Sequence, residues 1–204
     1  MDELFERLVV YQGQGVFNQY RDVDPALDLP RGAEIRRQNL RRYLETFASA
    51  RFVLVGEAAG YAGCRFSGIP FTCEAQWVEQ ERLGWTVGRG LERSSTAATP
   101  WVERSARIVW EALEGRADCV LWNAFPWHPF GERGSLSNRR PGAELAEGLT
   151  VLRCFLGHFP AARPYAVGRV AQQALAAIGI TALYIRHPSH GGKRKFMDGV
   201  AALR

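Results

Sequence analysis

The sequence has few cysteines, and the four that it has, Cys64, Cys73, Cys119 and Cys154, lie far apart. No C-x-x-C pair occurs, so the usual zinc and dithiol redox signatures are absent. We therefore expect free thiols that are buried or half-buried, as is usual in a reducing compartment.

Long apolar runs are also missing. Apolar runs such as residues 52–55 and 119–122 are far too short to cross a bilayer. The start, residues 1–7, is acidic and amphipathic, and it lacks the basic and apolar regions of a secretory signal. These absences predict a cytoplasmic protein without a membrane partner.

Several catalytic signatures do not occur. There is no G-x-S-x-G, which removes the most specific signal of a serine hydrolase. The glycine-rich stretch at residues 56–63 is neither a dinucleotide fingerprint nor a phosphate loop, since no Gly-Lys-Ser/Thr follows it.

Basic residues are in excess. The chain has 26 Lys and Arg against 21 Asp and Glu, a formal net charge of +5. They cluster in three places: Arg36, Arg37, Arg41 and Arg42; Arg139 and Arg140; and Arg186, Lys193, Arg194 and Lys195. This charge permits nucleic-acid binding without requiring it.

The apolar pattern predicts one α/β domain over residues 1–204. Four short apolar segments, residues 51–56, 118–124, 165–168 and 181–186, are typical of buried parallel strands. Helical patterns cover residues 34–48, 100–113, 143–159 and 168–178. The alternation indicates a three-layer α/β/α fold with a central, mainly parallel, four-stranded doubly wound sheet.

Three polar loops follow three of the predicted strands: residues 56–74, 123–130 and 187–195. Ligands of such folds bind outside the carboxyl ends of the strands, so the three loops are expected to meet. The last loop combines His187, His190, a glycine pair and a basic cluster, which joins hydrogen-bond chemistry to a grip on an anion.

Together the loops resemble those of the uracil-DNA glycosylase superfamily. The matching motifs are Gly-Glu-Ala-Ala-Gly at residues 56–60, Gly-Ile-Pro-Phe at residues 68–71, a strand ending in Asn123, and His-Pro-Ser at residues 187–189. Without a cysteine before Cys64, the chain resembles a cluster-free member, with no metal and no cofactor.

The resemblance implies roles for the site residues. Phe71 would stack on a uracil flipped out of the duplex, and Asn123 would bind the base edge. His187 would donate a hydrogen bond to uracil O2 as negative charge grows there, helped by backbone N–H groups around Glu57 and Ala58. The implied catalytic residues are thus His187, Glu57 and Asn123.

The resemblance also implies a DNA-binding set. The loop after His-Pro-Ser would enter the minor groove, with glycines allowing close approach and basic residues neutralising phosphates. The expected contacts are Ser67, Ser189, His190, Gly191, Gly192, Lys193, Arg194 and Lys195.

Two departures from the superfamily affect the chemistry. Ala58 stands where the classical branch carries a water-activating Asp, and Gly60 stands where it carries a Tyr that excludes thymine. The water activator stays open among Glu57, Glu74, Asn123 and His128, and Tyr61 is the candidate for excluding thymine.

The expected function is excision of uracil from single- or double-stranded DNA by a monomeric enzyme, leaving an abasic site. Three alternatives stay open. One is a glycosylase for another deaminated base, hypoxanthine or xanthine. The second is a non-catalytic or product-retaining binder of uracil or abasic DNA, and the third is a small-molecule α/β hydrolase.

Overall fold

The computed structural model describes residues 1–76 and 90–204. The helices described are α1 (Asp2–Val10), α2 (Gly32–Thr46), α3 (Cys64–Ser67), α4 (Arg104–Ala112), α5 (Leu145–Gly157), α6 (Arg169–Ala177) and α7 (Lys193–Ala201), with a 3-10 turn at Gly134–Leu136. The strands are β1 (Val16–Phe17), β2 (Phe52–Ala58), β3 (Cys119–Phe125), β4 (His128–Pro129), β5 (Arg163–Val167) and β6 (Leu183–Ile185).

Strands β2, β3, β5 and β6 form a parallel sheet in the order β3-β2-β5-β6, with helices flanking it. The predicted three-layer α/β architecture is confirmed. Strands β1 and β4 form a separate antiparallel pair that was not predicted, because two residues per strand are too few to leave a periodic pattern.

The sheet is buried because its strands are almost continuously apolar. Every residue of β3 is buried, and Trp122 stacks on Phe155 of α5 with ring centroids 4.1 Å apart. Strand β3 lies at the edge of the sheet, and its Leu121 N–H donates to the Tyr43 hydroxyl of α2 at 2.6 Å. Helix α2 therefore satisfies an edge group that would otherwise be open to pairing with another chain.

The four predicted strands and four predicted helices are present, with shifted ends. The helix predicted over residues 100–113 begins at Arg104, and residues 193–195, predicted as loop, form the first turn of α7. Helices α1 and α7 were not predicted. The described core contacts of α7 come from Phe196 and Val200 alone, which is a weak periodic signal.

The strand order sets the position of the site. The chain leaves β2 toward β3 on one side and leaves β5 toward β6 on the other, so the order switches between β2 and β5. In open parallel sheets a crevice forms outside the carboxyl ends of the strands at such a switch.

The four cysteines are free, as predicted: Cys64, Cys73 and Cys119 are buried and Cys154 is half-buried. Within residues 1–76 and 90–204, no helix is long and apolar enough to span a membrane.

Candidate active site

A cavity of about 600 Å³ opens at the carboxyl ends of the strands, where the order switches. It brings together residues from all three predicted loops. The predicted site residues that line it are Glu57, Ala58, Phe71, Asn123, His187, Ser189 and His190.

Phe71 lies against the strand end that carries Gly56. A Cβ atom at Gly56 would clash with the Phe71 ring and would lie 2.9 Å from Oδ1 of Asn123. Gly56 and Asn123 are register partners in β2 and β3, so their side-chain positions share one face of the sheet. The absent side chain at Gly56 is therefore what lets an aromatic ring and an amide meet there.

Asn123 presents a free hydrogen-bonding group. Its side chain is 2% exposed, and its Nδ2 has no hydrogen-bond partner among the described residues. A buried amide without a partner costs free energy, about 1–3 kcal/mol. A ligand that accepts from Nδ2 would remove that cost.

His187 has its tautomer fixed by the next turn of chain. The backbone N–H of Ser189 donates to Nδ1 at 3.2 Å, and the Ser189 hydroxyl lies 2.8 Å from the same nitrogen. Because an N–H can only donate, Nδ1 accepts, and the proton of the neutral ring is on Nε2. Burial, with the charges of Arg186 and His190, lowers the pKa of His187 to about 4. At neutral pH this residue is an uncharged donor.

Two non-glycine residues in the described ranges have a positive φ, Phe71 at 52° and His190 at 50°, and both line this cavity. Such conformations are strained for residues with a side chain, and they concentrate at functional sites where the surrounding structure enforces them. Here the strain lies on both sides of one cavity.

Glu57 lines the cavity, but its side chain starts on the opposite face of the sheet from the Gly56 position. Successive residues of a strand point to opposite faces, so the Glu57 side chain starts on the face away from Phe71. Its Oε1 lies 3.7 Å from Nε of the exposed Arg140, and burial raises the pKa of Glu57 despite that cation.

Tyr61 and Ser67 are placed differently from their predicted roles. The Tyr61 ring lies edge-on to Trp101 at 6.3 Å, and Tyr61 is not among the described residues that line the cavity. Ser67 is fully buried, and its hydroxyl donates to the carbonyls of Ile69 and Thr72. Ser67 is the last residue of α3, and its burial is at odds with the predicted contact with DNA.

Two candidates for the water activator form hydrogen bonds with backbone groups. The Glu74 carboxylate is fully buried and accepts from the N–H groups of Ser94 and Ser95. His128 is also buried, with its ring nitrogens 2.9 Å from the carbonyls of Ala59 and Ser135. Neither lines the cavity within the part of the chain that the structure describes.

Among the residues after His190, Gly192 and Lys193 make contacts within the protein. A Cβ at Gly192 would clash with the His187 carbonyl, so this glycine serves a close approach within the chain itself. Lys193 forms an exposed ion pair with Glu111 of α4 at 2.7 Å. Gly191, Arg194 and Lys195 are exposed and do not line the cavity as described.

The structure adds cavity residues that the sequence reasoning did not assign: Glu103, Arg140 and Arg169. Arg169 follows the end of β5, a position that could have been found from the predicted strand. Glu103 comes directly before α4, on a segment with no motif, and only the packing of α4 against the first loop reveals it.

The cavity carries charges of both signs. Glu57 and Glu103 are the carboxylates among the described lining residues, whereas the guanidinium groups are those of Arg139, Arg140, Arg169 and Arg186. Arg139 is held by backbone carbonyls and by Glu144, but the Arg140 side chain is 83% exposed.

This is an α/β fold with a polar cavity at its switch point, and a solved protein shares the fold. The crystal structure of wild-type SMUG2 from Pedobacter heparinus matches with a TM-score of 0.60 at 12% sequence identity, covering 98% of this chain and 95% of that one. At this identity the likeness establishes the fold alone. Comparisons with protein-family models and with curated proteins each gave no match.

Proposed function

We propose that the protein is a DNA glycosylase that flips uracil out of DNA and hydrolyses its N-glycosidic bond. The observation that carries the proposal is the meeting of Phe71, Asn123 and His187 in one cavity, with a free amide donor and a neutral imidazole donor. The shared fold supports it, since SMUG2 belongs to the uracil-DNA glycosylase superfamily.

The first step is recognition of the base. The Phe71 ring offers an apolar surface on which a flipped base can stack, which offsets part of the few kcal/mol that unstacking costs. Asn123 would donate from Nδ2 to uracil O4 and accept from N3–H at Oδ1. Cytosine presents the reverse pattern, which leaves both groups unpaired at about 1–3 kcal/mol each.

The second step is departure of the base. As the bond from C1′ to the base nitrogen breaks, negative charge grows on the ring and at O2. The Nε2–H of His187 would donate to that oxygen, and one such donor is worth about 10²–10³ in rate. A neutral imidazole stabilises this charge by donating a hydrogen bond from Nε2, and it keeps its own proton.

Basic side chains at the cavity and on α7 would bind the DNA backbone. Arg140, Arg169 and Arg186 lie around the opening, and Arg194 and Lys195 are exposed in the first turn of α7. Contacts of these cations with phosphates would make binding fall with added salt.

The test is a strand-cleavage assay on oligonucleotides that contain uracil, hypoxanthine, xanthine or thymine, with EDTA present and alkali added afterwards. We expect breaks at uracil and none at thymine. Breaks only at hypoxanthine or xanthine would move the substrate to another deaminated base. A band shift without breaks would indicate a binder, and no effect on any oligonucleotide would refute the proposal.

A further inference from the structure

Glu103 is a carboxylate that lines the cavity and has no side-chain partner within residues 1–76 and 90–204. It is the N-cap residue of α4, but its side chain makes no capping hydrogen bond. It also forms no hydrogen bond or ion pair with the described residues, whereas the other lining carboxylate, Glu57, has Arg140 beside it. Burial raises the pKa of Glu103 to about 7.

The first loop is shaped around this carboxylate. A Cβ atom at Gly60 would clash with Oε1 of Glu103, and one at Gly63 would clash with Oε2. That same Gly63 position lies 3.3 Å from the carbonyl oxygen of Thr72, the residue after Phe71. The Glu103 carboxylate therefore lies beside the backbone that carries the stacking ring.

Helix α4 is fixed in this position. The indole N–H of Trp110 donates to the Thr72 hydroxyl at 3.0 Å, which joins the helix to the segment that carries Phe71. Gly60 follows Gly56 on the loop that leaves β2, and Glu103 lines the same cavity as the base-binding residues. A nucleotide whose base stacks on Phe71 would bring its sugar into this cavity.

We propose that Glu103 is the catalytic residue that accepts a proton from the attacking water. The water oxygen forms a bond with C1′, and the bond from C1′ to the base nitrogen breaks with its electron pair remaining on the base. The water proton passes to the Glu103 carboxylate. It then leaves to the released base anion or to solvent, which restores the carboxylate. This role rests on the proposed glycosylase function.

The role suits this carboxylate for a physical reason. General-base catalysis is most effective when the pKa of the base lies near the working pH, and it contributes about 10²–10⁴ in rate. A carboxylate with an ordinary pKa is a weaker base than one that burial desolvates, and Glu103 has no cation partner among the described residues.

The pH signature of Glu103 has to be distinguished from those of the surrounding groups, which include Glu57 and His190 at the cavity. Burial raises the pKa of the nearby thiols of Cys64 to about 12 and of Cys73 to about 11, so both stay protonated near neutrality. His187, with a pKa of about 4, stays neutral. The remaining titratable group at the described cavity with a raised pKa is Glu57.

The experiment is single-turnover excision of uracil by Glu103→Gln between about pH 5.5 and 9. We expect a loss of about 10²–10⁴ in rate at pH 8. The wild-type rate should rise about tenfold per pH unit below about pH 7 and then level off, and this rise should be absent in Glu103→Gln. Glu114→Gln, the same change at an exposed position beyond α4, should match the wild type.

The outcomes separate the two proposals. A Glu103→Gln rate within about threefold of an active wild type, or an unchanged pH rise in that variant, refutes the role of Glu103 alone. A wild type that releases no base at any pH refutes the glycosylase function, and the role of Glu103 with it. Circular dichroism and the Kd for uracil-containing DNA check that Glu103→Gln is folded and still binds.

Discussion

The rings of Phe71 and His187 lie in the same cavity with centroids 6.0 Å apart and planes inclined by 38°. Phe71 lies in the first loop, after β2, and His187 follows β6, yet the two rings meet in one cavity. A flat heterocycle on Phe71 would lie within reach of the His187 Nε2–H, and this relationship leads to the first two predictions.

Replacement of His187 by Ala should lower the single-turnover rate of uracil excision by about 10²–10³, since it removes a donor aimed at developing charge. His158→Ala is the matched control, because His158 lies at the end of α5 and its Nδ1 lies 2.9 Å from the Cys154 carbonyl. Equal rates for both variants and the wild type would contradict the donor role.

Gly56→Ala should lower excision although it removes no polar group. The added methyl would displace the Phe71 ring and crowd Oδ1 of Asn123. Gly157→Ala provides the control, since no atom lies within 4 Å of a Cβ at that position. We expect a loss of at least about tenfold for Gly56→Ala and none for Gly157→Ala; undiminished excision would exclude Phe71 as the stacking surface.

Asn123→Ala should separate activity from stability. Its Nδ2 makes no hydrogen bond to the described residues, so truncation removes a buried polar group that the fold does not use. Urea unfolding should show little or no loss of stability, while the uracil excision rate should fall by about 10² or more. A large destabilisation would instead assign Asn123 a structural role.

Arg186→Ala and Arg140→Ala should weaken DNA binding without sequence preference. Each lost phosphate contact should reduce the slope of log K against log salt by about 1. Arg153→Ala, an exposed change on α5 away from the cavity, is the comparison, and fluorescence anisotropy at several salt concentrations gives the slopes. Slopes equal to that of the wild type would remove these residues from the DNA interface.

Glu103 should destabilise the folded protein at high pH. Its folded pKa of about 7 lies above the ordinary value of 4.5, so the native state holds this proton more tightly, and stability is lost as the pH rises from about 4.5 through 7. The free energy of unfolding of Glu103→Gln, measured by urea unfolding and taken relative to that of the wild type, should therefore rise by about 1–3 kcal/mol between pH 5 and 8.5. Since both proteins keep His187, its titration cancels; a constant difference would show that the Glu103 pKa is not raised.

Much of the fold could be predicted because a buried parallel strand has a recognisable sequence pattern, a short run of apolar residues. The segments that became β2 and β3 are such runs, and helices with a clear apolar face lie between the strands. Helix α7 and the pair of β1 and β4 were missed because too few residues carry their pattern. Their existence depends on contacts with distant parts of the chain.

The candidate site was predictable to the extent that function sits at strand ends. Asn123 and His187 could be named because the motifs by which the sequence resembles the uracil-DNA glycosylase superfamily lie at the ends of predicted strands, and parallel strands deliver their carboxyl ends to one edge of the sheet. Tyr61 and Ser67 could not be placed in this way. The direction of a loop side chain is set by its neighbours, Trp101 in one case and the Thr72 carbonyl in the other.

The sequence by itself determined the α/β architecture, the free thiols and the three loops that meet at one edge, because apolar periodicity and strand direction are local properties. Tertiary structure alone decided which groups are unsatisfied there. The Nδ2 of Asn123 and the carboxylate of Glu103 have no hydrogen-bond partner among the described residues, and this depends on which distant segments lie beside them. Hydrogen bonding and desolvation act through space between segments distant in the chain, and so no single stretch of sequence encodes them.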